Sequence, residues 1–275
     1  MTAIVIAHPV PTRRSGMKQA WLTYRVILLR TAVIALSVLM LELASRMGWI
    51  DSVSFIPPSK MVLSAWDILI AGTYKTDIFL TLSAAGLAVI LAVVFGFLFG
   101  VLLFKLPRVR RVLDPLLLSY YAVPVFVLYP LLIVLLGLNR WPLVALGFLF
   151  AVVAMAVNTL NGLERVPNVL LRTARMLHMG RVREVWLITL PASLPFVFTG
   201  IKLSIVYSFI AVIGGEFVLS GAGFGYQIAY AYNNFDNPTM YGLMMLLLVF
   251  VGTLNLLLHT AEQRLYQRRV LKEIA

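Results

Sequence analysis

Hydrophobic residues along this chain fall into six long blocks separated by short polar segments. Each block has about 20 or more mostly apolar residues, the length that an α-helix needs to cross the hydrocarbon core of a bilayer. A single segment in lipid must be helical, because only a helix satisfies its own backbone hydrogen bonds. The pattern therefore predicts an all-α, polytopic membrane protein with about six transmembrane helices, at residues 26–45, 80–104, 112–136, 142–161, 195–219 and 239–260.

Composition supports the membrane assignment and limits the chemistry. Hydrophobic residues make up 61% of the chain and charged residues 12%, whereas a soluble globular chain carries about a quarter charged residues. The net charge of +12 does not indicate a nucleic-acid partner, because the basic residues lie between the apolar blocks, where they orient a membrane protein. The sequence contains no cysteine, which excludes disulfide and thiolate chemistry.

Lysine and arginine are concentrated in alternate connecting segments. They are frequent in both tails and in residues 105–111 and 162–194, and sparse in the other connectors. The positive-inside rule therefore places both termini in the cytoplasm. The predicted organisation is an N-terminal cytoplasmic tail, a transmembrane domain with a cytoplasmic loop, and a C-terminal cytoplasmic tail, over residues 1–25, 26–262 (loop 163–194) and 263–275.

Common catalytic and cofactor motifs are absent. No phosphate-binding GxxxxGK[ST] loop, HExxH or GxSxG motif occurs, and the three histidines have no metal-ligand spacing. A GxGxG run at 221–225 does not lie between a strand and a helix, so it predicts a bend rather than a nucleotide site. We therefore expect no catalytic residue, no metal site and no cofactor bound by this chain.

The loop segment 163–195 reads LERVPNVLLRTARMLHMGRVREVWLITLPASLP. Pro167 suits the first turn of a helix, and Gly180 can end or bend that helix before a second helical stretch over 184–190. The pattern fits either a plain connector over the inner face of the bundle or a docking element for a partner's groove. Its apolar stripe, at i, i+4 and i+7, consists of Leu170, Ala174 and Leu177.

This segment resembles the EAA loop of ABC importer permeases, through Thr173-Ala174, a following glycine and then Ile188-Thr189-Leu190-Pro191. The chain is similar over roughly residues 55–270 to the branch for nitrate, sulfonates and taurine, and for thiamine-precursor pyrimidines and riboflavin. The other motifs of that branch appear in order: PPS at 57–59, TL at 81–82, DP at 114–115, VP at 123–124, NT at 158–159, LPASLP at 190–195, TGIKL at 199–203, GEF at 215–217 and GAGFGY at 221–226.

The resemblance implies a type I ABC importer permease fold in a bacterial inner membrane. The chain would form the path for a small solute, pyrimidine- or riboflavin-like or sulfonate- or nitrate-like, delivered by a periplasmic or lipid-anchored binding protein. Two copies would pair, and two separate ATPase subunits would use ATP and Mg. The alternatives are an ATPase-independent secondary carrier or channel, and an intramembrane enzyme, for which the spans show no convergent polar cluster.

The resemblance also assigns loop residues to ATPase coupling. Two positions depart from the family pattern, because Arg172 stands where an acidic residue is usual and His178 where glycine is customary, with Gly180 two residues later. These departures concern individual contacts more than the role of the loop. The coupling residues are Arg172, Thr173, Ala174, Leu177, His178, Gly180, Glu184, Ile188, Leu190 and Pro191.

Candidate pathway residues are aromatic and polar side chains within the spans. Tyrosine rings suit an aromatic or heterocyclic solute, although helix packing or an interfacial aromatic belt also accounts for them. No fixed cation stands mid-span, so nothing demands an anionic solute, and the stretch FDNPTMYGLM at 235–244 resembles the pyrimidine and riboflavin permeases. Glu216 fits a gate or, preferably, a cap of the glycine-rich loop. The candidates are Tyr120, Tyr121, Phe126, Asn158, Thr159, Tyr207, Ser208 and Glu216.

Overall fold

The structure is a computed structural model that describes residues 13–51, 55–122 and 124–274. Part of the predicted N-terminal tail (1–12), Val123 of the VP motif and the last residue of the C-terminal tail lie outside the described residues. Within these ranges all regular structure is helical, which confirms the all-α prediction. The helices are α1 (Arg13–Arg46), α2 (Pro58–Ala71), α3 (Lys75–Lys105), α4 (Pro107–Ser119), α5 (Tyr129–Leu136), α6 (Trp141–Glu164), α7 (Asn168–Met176), α8 (Arg181–Glu184), α9 (Leu190–Leu219), α10 (Phe224–Asn233) and α11 (Asn237–Ile274).

Five helical segments of the described chain are long and apolar enough to cross a membrane, and a bent pair supplies a sixth. The bent pair is the third predicted span, 112–136, whose two halves meet at 92°. Short 3₁₀ turns at Tyr120–Ala122 and Val125–Leu128 replace the expected straight helix there. Pro124 explains the break, because proline lacks an N–H group and clashes with the preceding helical turn.

The fifth predicted span begins earlier than expected. Helical turns run without interruption from Arg181 to Leu219, so the second half of the loop is continuous with the span that follows it. Residues Val185–Thr189 are π-helical and directly precede Pro191. The proline ring clashes with the carbonyl four residues back in a regular helix, and the wider turn relieves that clash. The predicted connector at 220–238 contains the helix α10.

The chain divides into two compact units, residues 1–63 and 64–275. In the first unit, Glu42 of α1 organises the polar contacts near the end of the helix. Its carboxylate accepts hydrogen bonds from the Ser59 backbone N–H at 3.0 Å and from the Ser59 hydroxyl at 2.7 Å. The Arg46 Nε lies 2.6 Å from the same carboxylate. These contacts tie the start of α2 to the end of α1.

The core of the second unit forms where α3, α6 and α9 approach closely. Ala88 of α3 and Val212 of α9 are fully buried beside Val144 of α6. Gly147 lies at the crossing, where an added Cβ would come within 2.8 Å of the Ala88 Cβ and 3.0 Å of Val212. Helices in lipid gain little from hydrophobic association, so small residues that allow close approach provide the packing energy.

We expect Gly147→Leu to destabilise the bundle by about 1–3 kcal/mol, because the larger side chain must force α3 and α9 apart. The matched control is Gly86→Leu in α3, where an added Cβ meets no atom within 4 Å. The free energy of unfolding, measured by denaturant titration in bicelles, should fall only for the first variant. An equal loss in both variants would contradict the packing role.

Candidate functional site

A cavity of about 470 Å³ lies between α4, α6 and α9. Three predicted pathway residues, Tyr121, Asn158 and Tyr207, line it together with Asn161, and we call it the tyrosine cavity. The Tyr121 and Tyr207 ring centroids are 5.4 Å apart, and the Phe150 ring lies 5.6 Å from the first and 5.1 Å from the second. The structure thus brings residues from three helices into one aromatic surface beside two amide side chains.

Other predicted pathway residues lie beside this cavity rather than on its wall. The Tyr120 hydroxyl donates to the Leu149 carbonyl at 2.8 Å. Phe126 packs into the hydrophobic cluster formed around Tyr129 and Leu146. Ser208 and Thr159 are completely buried among the helices. Their contribution to a pathway stays a prediction, while their packing in the bundle is an observed fact.

Arg110 and Asp114 also line the tyrosine cavity, and the sequence reasoning missed them. The Arg110 guanidinium contacts the Glu164 carboxylate, and its Nε lies 3.5 Å from the Asp114 Oδ2. From the sequence alone, Arg110 counted only as a charge that sets membrane orientation. The i, i+4 spacing of Arg110 and Asp114 indicates that the two can pair, but Glu164 is distant in sequence and joins them only through the tertiary fold.

Glu216 lies in the last turn of α9 with 1% of its surface exposed. Its Oε2 accepts a hydrogen bond from the Gly225 backbone N–H at 2.9 Å. The Thr81 hydroxyl of α3 lies 2.8 Å from both carboxylate oxygens and also accepts from the Phe224 N–H at 2.8 Å. The carboxylate and the hydroxyl thus bind the N–H groups that open helix α10.

Asp77 extends this network along α3. Its carboxylate accepts from the Gly223 N–H at 2.9 Å and from the Gln227 side-chain amide at 3.1 Å. Gly223 has φ +109°, which favours glycine, and an added Cβ would collide with the Glu216 carboxylate. Acidic groups suit the positive end of a helix and its unpaired N–H groups. This geometry favours an anchor for the glycine-rich loop over a gate.

Glu216 also borders a second cavity of about 470 Å³, with Tyr129, Arg140 and Ser220. The predicted pathway residues are therefore divided between two cavities. Within the described part of the chain, no group of three or more histidine, aspartate or glutamate side chains is placed to hold a metal ion.

The predicted coupling loop contains a turn with glycine-like geometry at His178. After α7 ends, the Met179 N–H donates to the Ala174 carbonyl at 3.0 Å and the His178 N–H to the Arg175 carbonyl at 3.1 Å. This pair of bonds is the Schellman cap, whose central position is commonly glycine. His178 occupies that position with φ +51°. The customary glycine position therefore keeps the glycine conformation, while Gly180 has an ordinary φ.

The predicted apolar stripe of the loop contains both buried and exposed side chains. Ala174 is completely buried, whereas Leu170 and Leu177 are exposed. Of the other assigned loop residues, Arg172, Thr173 and Pro191 are exposed, and Glu184, Ile188 and Leu190 are half-buried. Five large apolar side chains of the loop segment have at least 68% of their surface exposed, and we call this set the loop face: Val169, Met176, Leu177, Val182 and Trp186.

Comparison with known proteins gives one family and several relatives. Residues 92–271 match the family described as "Binding-protein-dependent transport system inner membrane component". The nitrate import permease protein NrtB of Leptolyngbya laminosa is 26% identical over 211 residues, which cover 74% of each chain. The taurine transport system permease protein TauC of Escherichia coli (strain K12) is 25% identical over 233 residues, covering 82% of this chain and 83% of the relative.

A similar fold occurs in a chain of the MetNI methionine ABC transporter, solved in inward-facing conformations. The TM-score is 0.62 at 16% identity, and the match covers 71% of this chain and 97% of the other. At this identity the likeness shows the fold alone, and it confirms the predicted permease architecture.

We expect Thr81→Val to destabilise the second unit by about 1–3 kcal/mol, because it leaves the buried Phe224 N–H without its acceptor and removes the hydroxyl donor of the Glu216 carboxylate. Thr199→Val is the control, since the Thr199 hydroxyl bonds only to the Pro195 carbonyl of its own helix. Unfolding by denaturant in bicelles should separate the two variants. Equal stability of both would rule out an anchoring role for Thr81.

Replacing His178 by glycine should stabilise the turn after α7 by about 1 kcal/mol, because a non-glycine residue is strained in the left-handed conformation. Native-state hydrogen exchange at the Met179 N–H should slow in the glycine variant. His178→Ala keeps the strained conformation and should leave the exchange rate nearly unchanged. Faster exchange in His178→Gly would contradict the assignment.

Proposed function

This chain belongs to the family of binding-protein-dependent transport system inner membrane components and is the membrane-spanning permease subunit of an ABC importer. We propose that its loop of residues 163–194 docks a separate ATPase subunit. Its relatives are permease subunits, so hydrolysis belongs to the partner, which uses ATP and Mg. ATP drives transport only if it favours one permease arrangement over another. The docked loop transmits that preference.

The loop face is the observation that carries this proposal. Its five apolar side chains stand in a segment rich in arginine, including the exposed Arg172, Arg175 and Arg183. Val169, Met176 and Leu177 lie outside the candidate spans, and exposed apolar groups in such a charged segment indicate a protein partner. Val182 and Trp186 stand at the start of the helical segment that is apolar enough to cross a membrane. Helix α7 is short and ends at the cap that contains His178, so it can bind in a groove of the ATPase subunit.

The helical connection between the loop and α9 explains how docking can move the bundle. Ala174 of α7 is completely buried, and the chain from Arg181 continues as one helical run into α9. A force on α8 can therefore reach α9, and through it the core that α9 forms with α3 and α6, along continuous helix, while α7 is joined to α8 by the turn at residues 177–180. The π-helical turn before Pro191 is the one irregular step along that run within the described residues.

The remaining assembly follows from charge and from the family. The arginine-rich connectors support a cytoplasmic position for the loop and both termini. Two copies of the chain pair in a bacterial inner membrane, two ATPase subunits dock below, and a periplasmic or lipid-anchored binding protein delivers the solute from outside. The tyrosine cavity forms part of the path for a small solute, either ring-bearing or of the nitrate and taurine type named for the relatives.

A secondary carrier that works without an ATPase is not favoured. Family membership opposes it, and the loop face would then have no partner to cover it. Uptake into vesicles by the chain alone, without nucleotide, is the result that would support the carrier.

Gly180→Trp tests the docking proposal. An added Cβ at Gly180 meets no atom of this chain within 4 Å, so the substitution should leave folding and membrane insertion intact. A bulky side chain between α7 and α8 should obstruct the partner, and solute-stimulated ATP hydrolysis and uptake should both fall by about tenfold or more, equivalent to about 1.4 kcal/mol of lost coupling.

The control is Gly252→Trp in α11, which also meets open space but lies outside the loop. Proteoliposomes containing the permease, its ATPase and its binding protein give both rates. Normal coupling in the Gly180 variant would remove the loop from the ATPase interface.

A further inference from the structure

Charge in the tyrosine cavity is arranged around one arginine. Among the described residues that line the cavity, Arg110 is the single basic side chain. It lies between two carboxylates, in contact with Glu164 and 3.5 Å from Asp114. Two carboxylates flank one guanidinium, so the formal charge of this ion triad is negative. Lys202, one residue from the cavity-lining Leu203, is paired with Glu262 at 3.2 Å.

An anion entering this cavity would meet a cation that already has partners. It would also approach the Asp114 carboxylate of the cavity wall and the Glu164 carboxylate that is paired with Arg110, and like charges repel each other, although these partly exposed side chains are screened by water. Removing an anion from water without a counter-charge is costly. The ion triad therefore opposes the binding of nitrate, sulfonate and similar solutes, even though an arginine is present.

The rest of the wall suits a different solute. The Tyr121 and Tyr207 rings line the cavity with their centroids 5.4 Å apart, and the Phe150 ring packs against both. Aromatic rings bind flat solutes by stacking and organic cations through their π-faces. The amides of Asn158 and Asn161 can both donate and accept hydrogen bonds. The volume of about 470 Å³ falls within the range of sites for organic ligands.

Resting on the proposed function, we infer that the solute is a ring-bearing organic compound, neutral or positively charged, and that the ion triad of Arg110, Asp114 and Glu164 excludes small anions. The chain would then differ in cargo from the nitrate and taurine permeases that it resembles at 26% and 25% identity. Arg110 acts here as a neutralising and specificity-determining residue rather than as an anion ligand.

Ligand-induced stabilisation of the permease–ATPase complex tests this inference. The probes are cytosine, thiamine and riboflavin against nitrate and taurine, each titrated at constant ionic strength in nanodiscs without nucleotide. A probe that binds only the folded state stabilises it by RT ln(1 + [L]/Kd), so the dependence of the melting temperature on probe concentration gives the Kd. At least one ring-bearing probe should bind saturably, with a Kd at least about tenfold below those of both anions, a difference of about 1.4 kcal/mol. The inference is overturned if nitrate or taurine binds as tightly as the ring-bearing probes or more tightly, or if no ring-bearing probe shows saturable binding.

Asp114→Asn tests the triad itself. Removing one carboxylate leaves the Arg110 charge less compensated, so the Kd for nitrate and taurine should fall by about tenfold. Glu164→Gln removes the other carboxylate of the triad and gives a second test if Asp114→Asn folds poorly. Asp67→Asn removes an exposed charge from α2, away from the cavity, and should leave every Kd unchanged. Unaltered anion binding in both triad variants would contradict the exclusion role.

The two proposals fail in different ways. If permease and ATPase do not co-purify, or if Gly180→Trp couples normally, the docking proposal fails, and the cavity is still tested by melting the permease alone with the same probes. If the complex forms and couples but prefers an anion, only the solute inference fails.

Discussion

Close approach of α3, α6 and α9 is the constraint on which the rest of this structure depends. Apolar helices in lipid have no hydrophobic driving force for association, so the bundle is held by close packing of the helix backbones. Gly147 and Ala88 permit that contact, and Ser208 donates a hydrogen bond to the Gly147 carbonyl at 3.3 Å across the same crossing. The tyrosine cavity lies between α4, α6 and α9. Helix α9 also connects the loop to the crossing of α3, α6 and α9.

Proline and glycine introduce irregular backbone where the chain needs it. The 92° bend near Pro124 turns the third span and brings Tyr121 to the cavity wall. The π-helical turn before Pro191 joins the loop to α9. Irregular backbone inside a membrane persists only when its polar groups find partners within the protein, and the Val127 N–H, which donates to the Pro124 carbonyl at 3.0 Å, is one such contact at the bend.

Two clusters of acidic side chains serve different ends of the molecule. Asp77 and Glu216 bind backbone N–H groups and hold the glycine-rich loop against α3. Asp114 and Glu164 bind a guanidinium instead and set the charge of a cavity. Carboxylates are costly to bury inside a membrane protein, and the buried Glu216 has hydrogen-bond donors that offset this cost, whereas Asp114 and Glu164 are partly exposed.

Hydrophobic periodicity by itself determined the all-helical, multi-span architecture, because span length and backbone satisfaction in lipid leave no other choice. The motif order identified the family, and the spacing of the loop located its helical parts. Only the tertiary structure decided that Ala174 turns inward while Leu177 faces out, and that Arg110 meets Glu164. Such contacts join residues far apart in sequence, and nothing in local pattern encodes which distant side chain will lie within reach once the helices pack.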